Sequence, residues 1–173
     1  MATDYYLQLD GIKGESADPR HAGWIECTSV GWSIQRTRRA PAPAAANGHA
    51  AERAADRAER TERAELSEIA IDKLIDVSSP MLAELCACGK TIPRARLEML
   101  RAGGNGEATK YYEVELENVL ITHIAPSFHG GDIPIEHLAL KFSKVQWKYT
   151  QQKIGGGGGN TAGGWDLGLD HAA

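Results

Sequence analysis

The sequence has little cysteine, no long apolar run and no excess of positive charge. Its three cysteines, Cys27, Cys86 and Cys88, form no even disulfide framework, which is typical of synthesis in a reducing compartment. No stretch of about eighteen apolar residues occurs, so no membrane span is predicted. The net charge of -4 leaves no surplus of lysine and arginine to neutralise phosphates. Binding to nucleic acid or to a membrane is therefore not expected.

Motifs for catalysis and metal binding are also missing. Cys86 and Cys88 have no second cysteine pair to complete a zinc site, and residues two apart on a helix point in different directions. No nucleophile elbow of the form G-x-S-x-G occurs, and the run Gly155–Gly159 lacks the Lys-Ser/Thr of a phosphate-binding loop. His123 and His137 fall on adjacent predicted strands, where a hydrogen-bonded strand histidine is the commoner case. We expect no enzyme activity, no metal and no cofactor.

What the sequence does contain is a set of β-strand patterns. Hydrophobic residues make up 42% of the chain, enough for a packed core. Alternation and turn residues predict strands at residues 4–10, 23–35, 66–75, 111–125 and 135–149. Residues 94–101 are also predicted to be a strand because the flanking pattern is β, although periodicity alone does not settle their type.

Period-two patterning predicts which side chains share a face of these strands. In 23–35 the bulky residues occupy even positions, and small polar residues occupy odd positions from Ser29 onward. In 111–125 the apolar side chains, predicted to face the core, are Tyr112, Val114, Leu116, Leu120 and Ile124, whereas the alternate positions Glu113, Glu115 and Glu117 indicate a solvated face or a subunit contact. The apolar parity of 135–149 changes near Ser143 and Lys144, which predicts a β-bulge or burial on both sides.

The clearest helix signal covers residues 78–89. Ser79 is a candidate N-cap, Pro80 suits the first helical position, and Gly89 suits a left-handed C-terminal stop.

Two segments have unusual composition. Residues 36–65 are rich in Ala, Arg, Glu and Pro and have no apolar stripe to dock on a core, so they are predicted to form a protruding loop that is partly helical. Residues 155–173 begin with five glycines and then carry Trp165 and Leu167, which suggest a piece that packs back. The predicted organisation is a barrel domain at 1–154 followed by a Gly-rich tail at 155–173.

Together these elements predict a mainly β fold. The expected architecture is an antiparallel β-barrel of two packed sheets with one short α-helix and a long protruding loop. Long strands leave exposed edges, which are satisfied either by closure of the barrel or by pairing between subunits.

An ordered set of segments resembles the hemolysin-coregulated protein (Hcp) family of the bacterial type VI secretion system. The segments are DYYLQLDGIKGESADPRH at 4–21, IECTSVGWS at 25–33, KLIDVSSPML at 73–82, KYYEVELENVLITHI at 110–124, the strand 138–151 and GWDL at 164–167. The family's G-E-S-x-D-x-x-H loop corresponds to Gly14, Glu15, Ser16, Asp18 and His21. The main departure is at residues 36–65, where family members usually have a shorter and often Gly-rich loop.

The resemblance implies a structural role rather than catalysis. Family members form hexameric rings that stack into a hollow tube, which a contracting sheath propels behind a spike protein. The implied partners are copies of the chain itself, the spike, sheath and baseplate, and effector proteins in the lumen. The implied location is the bacterial cytoplasm, followed by secretion through the type VI apparatus without a Sec signal peptide.

The resemblance also suggests which residues take part in assembly. Ser29, Gly31 and Ser33 would present a small, polar wall to the lumen, whereas an ordinary solvated strand face is the simpler alternative. Arginines of the long loop would contact the next ring, or merely be solvated; they are Arg36, Arg38, Arg39, Arg53, Arg57 and Arg60. A small-ligand-binding β-barrel is the alternative function, and it would require an apolar interior pocket.

Overall fold

The computed structural model describes residues 3–36, 64–102, 108–131, 133–151 and 159–172. The chain divides into two compact units, one formed by Met1–Gly31 with Glu68–Ala173 and the other by Trp32–Ser67. The strands are β1 (Thr3–Leu9), β2 (Ile25–Gly31), β3 (Ile34–Arg36), β4 (Ala64–Leu66), β5 (Ile69–Leu74), β6 (Ile92–Ala102), β7 (Ala108–Ser127), β8 (Ile135–Lys141), β9 (Lys144–Thr150), β10 (Asn160–Asp166) and β11 (His171–Ala172), and the helix is α1 (Ser79–Cys88).

The larger unit is a closed β-barrel with extra strands. Its sheet has the order β11-β10-β9-β7-β6-β1-β2-β5-β8, and β8 also pairs with β7, so six strands close on themselves. All pairings are antiparallel. The prediction of a mainly β antiparallel barrel is confirmed. No helix in the described part of the chain is long and apolar enough to cross a membrane.

Strand β7 belongs to both the barrel and the extra strands. Its 20 residues pair with β9 through 112–117 and with β8 through 120–127. β8 and β9 thus pair with successive parts of β7. The other edge of β8 pairs with β5 and completes the barrel, whereas the other edge of β9 pairs with β10, which leads outward to β11.

The prediction of one strand at 135–149, with a β-bulge or two-sided burial near Ser143 and Lys144, was wrong, because the chain breaks there into two strands. β8 ends at Lys141 and β9 begins at Lys144. The Ser143 amide donates to the carbonyl of Glu117 at 3.0 Å, and its hydroxyl accepts from Nδ2 of Asn118 at 2.9 Å.

Two further strand predictions were also wrong in their extent. Residues 23–35 form β2 and then β3, with Trp32 and Ser33 between them, and residues 66–75 contain the end of β4 and all of β5. The predicted parity of 23–35 was also wrong at its start, because Ile25 and Cys27, at odd positions, are buried. A register shift between Cys27 and Ser29 changes the parity, because one extra residue turns the following side chains to the opposite faces.

The same effect overturns part of the face prediction for β7. Val114 and Leu116 are buried as predicted, but Leu120 and Ile124 are only half-buried, and Val119 and Ile121 occupy the core instead. Asn118, with φ of 52°, interrupts the alternation in the middle of the strand, and a further register shift lies between residues 121 and 123.

Helix α1 connects β5 to β6 and buries Leu82. Gly89 is left-handed with φ of 64°, which confirms the predicted C-terminal stop. The N-cap residue is Ser78 rather than the predicted Ser79, which is instead the first helical residue and is buried. Its hydroxyl accepts a hydrogen bond from Nζ of Lys73 on β5 and donates one to Oε2 of Glu136 on β8.

The smaller unit contains the two-stranded hairpin of β3 and β4. Ile34 pairs with Leu66, Gln35 with Glu65 and Arg36 with Ala64. The Ser33 amide donates to Oγ of Ser67 at 2.8 Å, and the Ser67 amide donates to the Ser33 carbonyl at 2.9 Å.

Candidate assembly surface

The outer face of β2, β5, β8 and β7 carries two rows of mostly small side chains. Directly paired residues of neighbouring strands share a face, so each row follows from the strand register. The first row is Ser29, Asp72, His137 and Ala125, and the second is Gly31, Ala70, Ala139 and His123. We call these eight residues the small-residue face.

Two of the three predicted lumen residues lie on this face. Ser29 and Gly31 are exposed, and a Cβ placed on Gly31 would meet no atom within 4 Å. Ser33 is also exposed, but it belongs to the separate hairpin unit and not to β2. The structure therefore joins Ser29 and Gly31 to residues of three other strands, which the sequence alone did not connect.

The small-residue face carries one Asp–His pair and a second histidine nearby. Nδ1 of His137 lies 2.5 Å from Oδ1 of Asp72, and both side chains are exposed. His123 pairs with Ala139, whereas His137 pairs with Ala125. His123 and His137, which the sequence placed on adjacent strands, therefore lie diagonally to each other across β7 and β8. Among the described residues no group of three or more His, Cys, Asp and Glu side chains is arranged to hold a metal ion.

The G-E-S-x-D-x-x-H loop is built around the buried His21. Its imidazole stacks on Tyr6 with ring centroids 4.2 Å apart and meets Trp24 edge-on at 4.9 Å. Nδ1 lies 2.6 Å from Oδ2 of Asp18, and Nε2 lies 2.9 Å from Oε2 of Glu98 on β6. His21 thus fastens the loop to the barrel wall.

The carboxylates around His21 have shifted pKa values. The hydrogen bond with His21 lowers the pKa of Asp18. Burial alone would raise the pKa of Glu98, but hydrogen bonds with His21 and Lys110 outweigh it and lower that pKa. Both acids are therefore held in the charged form that accepts these hydrogen bonds.

The remaining motif residues shape the backbone of the loop. A Cβ on Gly14 would lie 2.3 Å from the carbonyl oxygen of Trp24, so no other residue fits there without movement. Ser16 is buried, and its hydroxyl accepts from the Asp18 amide at 3.3 Å. Glu15 is exposed. The motif contributes mainly to folding.

A buried lysine, Lys73, which the sequence pattern did not lead us to predict as a site residue, ties α1 to the barrel. Nζ of Lys73 is completely buried and lies 2.9 Å from Oδ1 of Asp76 and 3.1 Å from Oε2 of Glu136. It also donates to the Leu74 carbonyl at 2.8 Å and to Oγ of Ser79 at 3.1 Å. The available signal was that Lys73 follows Ile69 and Ile71 at the core parity of β5.

The outer face of β6, β7 and β9 is charged. Arg96 Nη2 lies 2.8 Å from Glu115, and Lys110 Nζ lies 2.6 Å from Glu113. Glu117 lies 3.8 Å from Lys144. Two depressions, of about 320 and 360 Å³, are lined mainly by polar residues of these and neighbouring segments, and the second is also lined by Trp147. The barrel interior is instead filled by buried apolar side chains, including Leu7, Ile25, Leu97, Val114 and Leu140.

The predicted stacking arginines fall almost entirely outside the described residues. Arg36 ends β3 opposite Ala64 and is exposed. Those outside are Arg38, Arg39, Arg53, Arg57 and Arg60.

Comparison with known proteins decides the family. The family model described as "Type VI secretion system effector, Hcp" matches residues 6–149. The chain belongs to the Hcp family. It is similar to Protein hcp1 of Pseudomonas aeruginosa, with 28% identity over 170 residues and 96% of each chain covered.

Solved structures of Hcp proteins have the same fold as this family member. The Hcp1 crystal structure from Salmonella typhimurium is 27% identical, with a TM-score of 0.75 and 100% of both chains covered. Hcp2 from the same organism is 26% identical, with a TM-score of 0.69 and coverage of 97% of this chain and 98% of that one. The resemblance seen in the sequence is thereby confirmed, and the family is one of type VI secretion proteins.

Proposed function

We propose that this Hcp-family chain is the structural subunit of a type VI secretion tube. Six copies form a ring, rings stack into a hollow tube, and sheath contraction expels the tube with effector proteins inside it. The partners are other copies of the chain, the spike, sheath and baseplate, and the effectors. The protein is made in the bacterial cytoplasm and is secreted with the tube.

The small-residue face is the observation that supports this role. Three adjacent strands present Ser29, Gly31, Ala70 and Ala139, so a ring with this face inward would have a wall made largely of small side chains. Such a wall can accept cargo of varied shape, because its large side chains are limited to His123 and His137. The packed barrel interior gives no support to a ligand-binding barrel.

Imaging and mass measurement test the assembly. Size-exclusion chromatography with light scattering should give a mass of six chains, and negative-stain images should show uniform rings with a central hole. A monomer at all concentrations would contradict the proposal.

Gold labelling tests the inward orientation of the small-residue face. A Gly31→Cys variant, in a background with Cys86 and Cys88 changed to serine, is labelled with maleimide gold and imaged. Gold should lie in the central hole, and the background protein without the added cysteine should stay unlabelled. Gold on the outer rim would contradict the assignment of Ser29 and Gly31 to the lumen.

A further inference from the structure

Both ring nitrogens of the buried His21 face a carboxylate. Nδ1 lies 2.6 Å from Oδ2 of Asp18, and Nε2 lies 2.9 Å from Oε2 of Glu98. A neutral imidazole has one N–H donor and one nitrogen that can only accept, and an ionised carboxylate has no hydrogen to donate. Either neutral tautomer would therefore place a nitrogen lone pair against a negatively charged oxygen. Only the imidazolium, with a proton on each nitrogen, satisfies both contacts.

Other donors keep these two acids ionised. Oδ2 of Asp18 also accepts hydrogen bonds from the backbone amides of Arg20 at 3.0 Å and His21 at 3.1 Å. The second oxygen of Glu98, Oε1, accepts from Nζ of Lys110 at 2.9 Å. Hydrogen bonds donated to a carboxylate favour its charged form, so neither acid supplies the hydrogen that a neutral His21 would need.

His21 belongs to a chain of alternating charges that crosses β6 and β7. Lys110 Nζ lies 2.9 Å from Glu98 and 2.6 Å from Glu113, and Nε of Arg96 lies 3.5 Å from Glu113. A neutral His21 would break the alternation, because the two acids on either side of it would have no cation between them. In order of contact, the chain consists of Asp18, His21, Glu98, Lys110, Glu113, Arg96 and Glu115.

The aromatic ring beside His21 also favours a cation. Tyr6 of β1 stacks on the imidazole with an interplanar angle of 2° and ring centroids 4.2 Å apart. The face of a tyrosine ring attracts a positive charge. Burial raises the pKa of Tyr6, so its hydroxyl stays neutral and adds no charge to the pocket. The other charged groups that act on Tyr6 from the neighbouring segments are Asp4, Arg20 and Glu26.

We propose that His21 is a buried imidazolium whose two protons latch the loop of residues 11–22 to β6. The proton on Nδ1 closes the turn from Asp18 within the loop, and the proton on Nε2 joins the loop to Glu98 in the barrel wall. Loss of either proton removes one of these bonds and leaves a lone pair against a carboxylate. The latch is therefore closed at neutral pH and opens as the pH rises far enough to deprotonate the ring.

Nitrogen spectroscopy of the histidine rings tests the protonation state in the unmodified chain. The protein is labelled with ¹⁵N, and ring signals are assigned through the backbone amide of each histidine. At about pH 8 a free histidine side chain, with a pKa of about 6.5, is mostly neutral. His21 should nevertheless have two similar nitrogen shifts, each with a bonded proton. The exposed His129, whose Nδ1 lies 3.1 Å from a serine hydroxyl and not from a carboxylate, is the internal comparison. A neutral pattern for His21 would overturn the proposal.

Trypsin cleavage after the exposed Arg20 measures opening of the latch. Its rate is divided by the rate after Lys90, which is exposed in a separate turn, so that changes in trypsin activity cancel. Glu98→Ala removes the acceptor of Nε2 and should raise this ratio at least about tenfold at neutral pH, because a hydrogen bond to a charged group is lost. Glu115→Ala removes the last acid of the same chain without touching His21 and should change the ratio by no more than about twofold.

The two measurements together separate the parts of the proposal. Equal ratios in Glu98→Ala and wild type would mean that the contact does not hold the loop. In the wild type, the ratio should rise at the pH at which the His21 nitrogen signals change to the neutral pattern. A change of these signals without faster cleavage would overturn the latch even if Glu98→Ala failed to fold.

Discussion

Gly14 is the residue whose identity the fold restricts most directly. Its missing Cβ leaves room for the Trp24 carbonyl, and that contact cannot relax by rotation of a side chain. We expect Gly14→Ala to lower the free energy of unfolding by about 2 kcal/mol or more. Gly31→Ala, placed in open space, should change it by less than about 0.5 kcal/mol. Chemical denaturation of both variants checks this, and equal stabilities would show that the Gly14 turn adapts.

The acids that hold His21 give the protein a pH-dependent stability. The pKa of Glu98 is lowered in the folded state, so its contribution is present above the unfolded pKa and is lost as pH falls through the folded pKa. Glu98→Gln should therefore be less stable than wild type at neutral pH, and the difference should shrink as the pH falls below the ordinary range of a glutamate carboxyl.

Thermal unfolding across this pH range measures the effect of Glu98→Gln. The exposed Glu84 of α1 supplies a control, since Glu84→Gln should follow the wild-type curve at every pH. A difference between Glu98→Gln and wild type that stayed constant with pH would contradict the assignment.

At the scale of elements, the Lys73 cluster holds α1 against β5 and β8. Lys73→Met would leave Asp76 and Glu136 as partly unpaired buried carboxylates. We expect a loss of about 3 kcal/mol or more, as for other broken buried ion pairs. Lys148→Met, on the exposed face of β9, is the control and should be close to neutral. Urea denaturation of the two variants gives the comparison; similar midpoints would mean that the cluster contributes little.

The strands themselves were largely predictable, because alternation is strong in β1 and β8. The errors came where the alternation breaks. The extra residue after Cys27 and the left-handed Asn118 each reverse the inward face, and no local residue pattern announces either event. The helix was predictable because Pro80 and Gly89 mark its two ends.

The candidate surface was only partly predictable for a related reason. Ser29 and Gly31 were visible as small residues within one strand. Their neighbours Ala70, Ala139 and His123 come from three other strands, and only the register of the sheet brings them together. Similarly, Glu136 is 63 residues from Lys73, so their contact depends on barrel closure.

At the scale of the whole molecule, we expect residues 40–63 to be dispensable for the barrel. Deletion of residues 40–63 removes no large apolar residue that a core would need. We expect the variant to form rings of wild-type mass by light scattering but shorter tubes by electron microscopy, because the proposed contacts of this segment with the next ring would be lost. Loss of folded, soluble rings would contradict this expectation.

The pairing of Arg36 with Ala64 has a practical consequence for engineering. The β3–β4 hairpin already holds these two residues close together, so the length of the segment between them has little effect on the free energy of folding. Each doubling of loop length costs only about 0.6 kcal/mol in closure entropy. A foreign peptide or a small folded domain could therefore replace the segment between these two residues. The β3–β4 hairpin would then serve as a display site at which cargo is fused to the subunit.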